Sequence, residues 1–156
     1  MSSKVSTIFT RRLLIYLSVA IALAATGCSI FKSEEESDLD AAMALWEDEG
    51  YANYSMRLEI SGWIGVRFAA TVHIEAGRVV AFESDSLLAA WGIPLSSFKS
   101  VEELFDIVAT AIKGEADFID VTYHNSLGYP QSVFIDYGER TDSGRRYKVS
   151  DVVESQ

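Results

Sequence analysis

The chain has 156 residues, with 13 Lys+Arg against 23 Asp+Glu and a formal net charge of -10 at pH 7. An acidic surface repels phosphate backbones and anionic lipid head groups, so nucleic acid is disfavoured as a partner. The single cysteine, Cys28, excludes an intramolecular disulfide and a thiolate metal cage, while 49% hydrophobic residues suffice for one packed core.

The N-terminal stretch has the composition of a secretory signal. Arg11 and Arg12 precede an apolar run, residues 13–25. This run is shorter than the roughly 20 residues that a membrane-spanning helix needs. A basic region, a short apolar region and small residues before a cleavage point are typical of a signal peptide. The alternative, a transmembrane anchor in which Cys28 has no role, is disfavoured by the length and by the flanking charges.

Small residues directly precede the cysteine, in the order Ala25-Thr26-Gly27-Cys28. They resemble the lipobox of a bacterial lipoprotein signal. This implies that residues 1–27 are cleaved and that Cys28 carries lipid on its sulfur and its new amino group. More than one acyl chain makes anchoring stable, because each buried methylene contributes about 0.8 kcal/mol. Ser29, where inner-membrane retention would require Asp, implies the outer membrane facing the periplasm if the source has two membranes.

The mature chain is predicted to consist of a tether, residues 28–37, and one domain, residues 38–156. Loss of residues 1–27, which hold three basic residues and no acid, takes the net charge from -10 to -13. Glu34-Glu35-Glu36 is a run of like charge, which is typical of a solvated linker.

A helix is predicted over residues 39–49, capped by Ser37 or Asp38, because apolar residues recur at helical spacing. An antiparallel meander of three strands follows at residues 51–61, 66–75 and 79–83, since apolar and polar residues alternate. The inward-facing residues of its first two strands are Met56, Leu58, Ile60, Val72 and Ile74.

Residues 84–99 are predicted to be an irregular connection with an unusually apolar segment, Trp91-Gly92-Ile93-Pro94-Leu95. The segment either folds inward as a lid over the core or exposes Trp91 for recognition.

A second helix is predicted from Ser100, which forms the capping box S-x-x-E with Glu103, to Lys113, with Gly114 at the C′ position. Strands follow at residues 117–124, 131–137 and 145–152. The fold class is therefore α+β, with an antiparallel sheet of about five or six strands. The second helix packs on one face of the sheet, and the N-terminal helix covers an edge or the same face.

Five groups of residues along this domain form a recognisable pattern of residue types and spacings. They are Trp46-x3-Gly50-x3-Tyr54, Val72-x-Ile74-x2-Gly77-x-Val79, Leu104-Phe105-x-Ile107, Tyr123-x4-Gly128-Tyr129-Pro130 and Asp136. Together they resemble a family of small bacterial lipoproteins built on one domain of unknown function, over about Asp40 to Val152. The family has no assigned activity, so the resemblance implies fold and location. In that family an Asp commonly follows the first tyrosine of this hairpin, which is Tyr123 here. This chain has His124 at that position, so an acid-dependent role such as cation binding is not implied.

The function expected from the sequence is that of a membrane-anchored envelope lipoprotein with a non-catalytic binding domain. Its partners would be the membrane, through lipid on Cys28, and an envelope protein or other envelope component; no cofactor is expected. The candidate contact residues are Trp91, Gly128, Tyr129 and Pro130, and the structural alternatives for them are a lid and a rigid turn.

Two other functions stay open. One is a small envelope hydrolase or metal-dependent enzyme. The chain has no G-x-S-x-G motif, and His73 and His124 could form a weak metal site with Glu75 or Asp120 only if their strands are neighbours. The other is an inhibitor of an envelope-degrading enzyme, which differs from the first proposal only in its target.

Overall fold

The computed structural model describes residues 33–62, 66–84, 93–138 and 144–155, and the predicted signal peptide, Cys28 and Trp91 lie outside these residues. Its elements are helix α1 (Glu34–Glu49), strands β1 (Asn53–Gly62), β2 (Val66–Glu75) and β3 (Arg78–Glu83), a 3₁₀ turn (Leu95–Ser97), helix α2 (Val101–Thr110) with a π-helical extension (Ala111–Glu115), and strands β4 (Phe118–Tyr123), β5 (Pro130–Asp136) and β6 (Arg145–Glu154). The predicted α+β class is confirmed. Within the described ranges, no helix is both long enough and apolar enough to cross a membrane.

The six strands form one antiparallel sheet in the order β3-β2-β1-β6-β5-β4. The predicted meander β1-β2-β3 is confirmed. The last strand, β6, lies between β1 and β5, where Leu58 of β1 pairs with Val149 and Val133 of β5 pairs with Tyr147. Strand β6 therefore joins the meander to the β4-β5 hairpin, and the first and last strands of the domain are neighbours.

Helix α1 begins at Glu34 rather than at Leu39. Ser33 is its N-cap, since the Ser33 hydroxyl accepts a hydrogen bond from the Glu36 N–H at 3.2 Å and the Glu36 carboxylate accepts one from the Ser33 N–H at 3.3 Å. The run Glu34–Glu36 forms the first turn, where the helix dipole stabilises carboxylates. The prediction that this run is linker, and that Ser37 or Asp38 is the cap, was wrong.

The core lies on one face of the sheet. The predicted inward residues Met56, Leu58, Val72 and Ile74 are buried, and Ile60 is half-buried against them. Both helices contribute to the same buried cluster, with Leu39, Ala42 and Trp46 from α1 and Val101, Leu104, Phe105 and Val108 from α2. The predicted capping box of α2 is confirmed, because the Ser100 hydroxyl accepts from the Glu103 N–H at 3.2 Å and Glu103 accepts from the Ser100 N–H at 3.0 Å.

The turn between β4 and β5 packs closely against α1. The carbonyl of His124 accepts a hydrogen bond from the Gly128 N–H, and the His124 N–H donates one to the Tyr129 carbonyl, both at 2.9 Å. Gly128 has a φ of 76°, and a Cβ built there would overlap the Ala42 carbonyl oxygen and lie 2.8 Å from the Leu45 Cβ. Only glycine combines this backbone conformation with this approach to a helix.

We expect Gly128→Ala to lower the free energy of unfolding by about 3 kcal/mol, because the new methyl group meets helix backbone in addition to the strained φ. Gly50→Ala is the matched control. Gly50 has a similar φ of 68°, and no atom lies within 4 Å of the position that a Cβ would occupy. Gly50→Ala should therefore lower the free energy of unfolding by only about 1 kcal/mol. Urea unfolding measures both values, and equal losses would show that the contact with α1 contributes nothing.

Candidate functional site

The structure buries the hairpin residues that the sequence offered as a contact surface. Tyr129 is only 5% exposed, and Gly128 and Pro130 are also buried. These residues form the rigid turn that was the structural alternative, and their side chains are not on the surface. The prediction that they form an exposed contact surface is therefore corrected.

The two histidines lie in different parts of the sheet. Three strands, β1, β6 and β5, separate β2, which carries His73, from β4, which His124 follows. His73 faces outward with its Nε2 3.5 Å from the Glu83 carboxylate. The structure does not bring the two rings together, so they cannot share a metal ion. Among the residues that the structure describes, no group of three or more His, Cys, Asp and Glu side chains is placed to hold a metal.

His124 has a structural role in the β4-β5 turn. Its Nδ1 accepts a hydrogen bond from the Leu127 N–H at 3.1 Å, and its ring stacks on Tyr129 with 4.8 Å between centroids. Because a backbone N–H can only donate, Nδ1 must be the acceptor in this bond.

A groove of about 300 Å³ opens between the last turns of α1 and the first turns of α2. Apolar and acidic side chains line it together. The lining residues are Met43, Trp46, Glu47, Gly50, Tyr51, Glu102, Phe105 and Asp106. Trp46 and Phe105 are buried and form its floor, whereas Glu47 and Asp106 are exposed at its rim. This groove is the candidate functional site.

Glu102 connects the groove to the rest of the fold. Its Oε1 accepts a hydrogen bond from the indole Nε1 of Trp46 at 3.1 Å, and its Oε2 accepts one from the Tyr54 hydroxyl at 2.7 Å. The Tyr54 oxygen also accepts a hydrogen bond from the Val101 N–H at 2.9 Å. Thus α1, β1 and the N-terminus of α2 meet at one carboxylate, which is held by two donors that carry no charge.

The Tyr54 hydroxyl is inert at neutral pH. Burial raises the pKa of Tyr54 far above its usual range, and the neighbouring Glu102 carboxylate raises that pKa further. The proton therefore stays on Tyr54, which donates to Glu102 throughout the physiological range.

Acidic side chains are concentrated around the groove. Helix α1 (EEESDLDAAMALWEDE) contains eight acidic residues and no basic one. Three of them, Glu47, Asp48 and Glu49, occupy its last turn, where the helix dipole disfavours negative charge. Glu47, Glu102 and Asp106 form no ion pair with a basic side chain of the described residues. A cation entering the groove would therefore meet carboxylates that are not already neutralised.

Sequence reasoning placed Trp46 in the core, which its 5% exposure confirms, but it did not identify the groove. Glu102 gave no signal of its own because it stands beside Glu103, whose role in the capping box explained the acidic pair. The spacing Trp46-x3-Gly50-x3-Tyr54 was a usable signal, since these residues surround Glu102 or line the groove.

The fold and the groove define a small α+β domain with an acidic cleft between its two helices. The model of a family of unknown function, DUF6174, matches residues 38–154, so the chain belongs to this family. No curated protein and no solved structure matches the chain.

We expect Tyr54→Phe to lower the free energy of unfolding by about 2 kcal/mol, because the Val101 N–H loses its acceptor and Glu102 loses a donor. Tyr137→Phe removes the same atom from a side chain that is 41% exposed and should change stability by less than about 0.5 kcal/mol. Chemical denaturation of both variants measures the difference. A Tyr54→Phe variant as stable as the parent would mean that this hydrogen-bonded junction does not stabilise the fold.

The two histidines should respond differently to truncation. His124→Ala removes the acceptor for the Leu127 N–H and the stacking on Tyr129, and we expect it to cost about 1 kcal/mol. His73→Ala removes only an exposed contact with Glu83, which should be worth less than about 0.5 kcal/mol. His124→Asp should recover part of the loss, since a carboxylate also accepts a backbone N–H. Thermal unfolding compares the three variants, and equal effects of the two alanines would refute the structural role of His124.

Proposed function

We propose that the protein is a lipid-anchored lipoprotein of the bacterial envelope, and that its domain binds a partner through the groove between α1 and α2 without catalysing a reaction. The observation that carries the binding role is the lining of the groove. An apolar floor formed by Trp46 and Phe105 lies directly beside carboxylates without a basic partner among the described residues. Apolar walls with a few polar groups at fixed positions are typical of binding sites.

The chemistry of the lining favours binding over catalysis. Both oxygens of Glu102 accept hydrogen bonds from Trp46 and Tyr54, so this carboxylate is fixed in position and its lone pairs are partly used. General acid–base catalysis needs a group that exchanges a proton near the working pH, and the raised pKa of Tyr54 prevents this. The hydrolase alternative relied on His73 and His124, which are separated by three strands.

The N-terminal sequence supports the membrane anchor. The basic pair Arg11-Arg12, the short apolar run and the sequence Ala25-Thr26-Gly27-Cys28 resemble a lipoprotein signal. The described helix α1 begins at Glu34, only six residues beyond Cys28. A fully extended segment of six residues reaches about 20 Å at most, so a lipid on Cys28 would hold the domain close to the membrane surface.

The anchor can be tested with Cys28→Ala in a bacterial host that processes lipoproteins. We expect the parent protein to lose residues 1–27, gain the mass of acyl chains on Cys28 and sediment with membranes. The variant should lack the lipid and lose the membrane association, because one thiol carries the attachment. Mass spectrometry of the N-terminal peptide and membrane fractionation measure both outcomes.

Ser29→Ala is the matched control, since it changes the neighbouring residue and keeps the thiol. It should remain lipidated and membrane-bound. An unmodified thiol on an uncleaved parent chain would disprove the lipoprotein assignment.

A further inference from the structure

We propose that the groove between α1 and α2 binds a lysine or arginine side chain from a basic segment of a partner protein. This inference rests on the proposed function in one respect, namely that the groove is the binding site of the domain. It identifies the occupant by its chemistry, a cationic head on an apolar stem.

The floor of the groove is apolar, so it can pack against the methylene stem of a lysine or arginine side chain. The half-buried side chains of Tyr51 and Met43 supply apolar surface over the buried rings of Trp46 and Phe105. Tyr51 stands edge-on to Trp46, with ring centroids 5.5 Å apart and planes at 85°. Lysine and arginine bury their methylene stems on apolar surface and place their cationic heads over aromatic rings or beside carboxylates.

The charges of the groove select a cation. Glu47 and Asp106 are exposed at the rim, and Glu102 is partly buried at the base. None of the three pairs with a basic side chain of the described residues. Glu47 also lies in the last turn of α1, where the carbonyl ends of the helix add to the negative potential. In the isolated domain, Glu47 is repelled by the neighbouring carboxylates and by the carbonyl end of the helix. A bound cation would reduce this repulsion.

The same geometry favours a side chain of a protein over a small inorganic cation. Glu102 already accepts hydrogen bonds from Trp46 and Tyr54 on its two oxygens, so it is poorly placed to chelate. A divalent ion requires several oxygen ligands around one point, and no such group occurs among the described residues. An open groove of about 300 Å³ between two helices accommodates one long side chain while the rest of its segment stays outside.

The test uses the protein as isolated from a host that processes lipoproteins, labelled with 5-fluorotryptophan and held in nanodiscs of phosphatidylcholine, a lipid without net charge. The chain has three tryptophans, so the fluorine resonance of Trp46 can be assigned by its loss in Trp46→Phe. The probe is hexa-arginine, and hexa-citrulline is its uncharged isostere. We expect hexa-arginine to shift the Trp46 resonance saturably and hexa-citrulline to leave it unchanged.

Two double variants with the same change in net charge separate the groove from general attraction. Glu47→Gln with Asp106→Asn should weaken hexa-arginine binding at least tenfold. Glu83→Gln with Asp120→Asn, exposed on β3 and β4 away from the groove, should change it less than twofold. Equal weakening by both pairs, or an equal response to hexa-citrulline, would overturn the proposal.

Spermidine and Ca²⁺ are titrated in parallel. If either shifts the Trp46 resonance at a lower concentration than hexa-arginine, the groove is a site for small cations and the proposal of a basic protein segment is overturned. The lipid on Cys28 is measured by mass spectrometry in the same preparation. A lipidated protein that does not bind refutes this inference alone, whereas a binding protein without lipid refutes the proposed anchor alone.

Discussion

The carboxylate of Glu102 is the point on which the arrangement of the helices depends. It accepts hydrogen bonds from Trp46 of α1 and Tyr54 of β1, while it belongs to the first turn of α2. A partly buried carboxylate requires such compensation, because desolvation without donors would be costly. The position at a helix N-terminus adds favourable interaction with the dipole. The same contact that orients α1 relative to α2 thereby fixes the groove between them.

The motif Trp46-x3-Gly50-x3-Tyr54 has a physical explanation in this junction. Gly50 ends α1 with a φ of 68°, which lets the chain reverse direction within a few residues. Strand β1 then returns Tyr54 to the indole of Trp46, with ring centroids 5.1 Å apart and planes at 79°. With this spacing, the Trp46 indole and the Tyr54 hydroxyl both reach the Glu102 carboxylate.

The second motif, Tyr123-x4-Gly128-Tyr129-Pro130, reaches the same helix from the other half of the sheet. Tyr129 packs edge-on against Trp46 at 6.4 Å, and Gly128 allows the turn to approach the backbone of α1. His124 accepts the Leu127 N–H, a bond that the carboxylate of an Asp could also accept. The Nδ1 atom of His124 therefore supplies the acceptor that closes the turn.

Local patterns were sufficient to predict most elements but not their assembly. Alternation along β1 and β2 and the capping box at Ser100 depend on neighbouring residues, so the sequence displays them directly. The position of β6 between β1 and β5 depends on pairing between distant segments, and no local pattern encodes it. Ser33 decided that Glu34–Glu36 is helix rather than linker, a choice that charge alone could not make. The role of Glu102 could not be predicted from local patterns, because its hydrogen-bond partners are 48 and 56 residues away in the sequence.

Helix α1 has an apolar face buried in the core and an acidic face directed outward. Its inner face, with Leu39, Ala42 and Trp46, is buried in the core and holds the helix on the sheet. Its outer face carries eight acids, and those in the last turn reduce helix stability by about 0.3–1 kcal/mol each where they oppose the dipole. The groove lies where the two faces meet, so its apolar floor belongs to the core and its acidic rim does not. Substitutions at the rim are therefore expected to leave the junction at Glu102 intact.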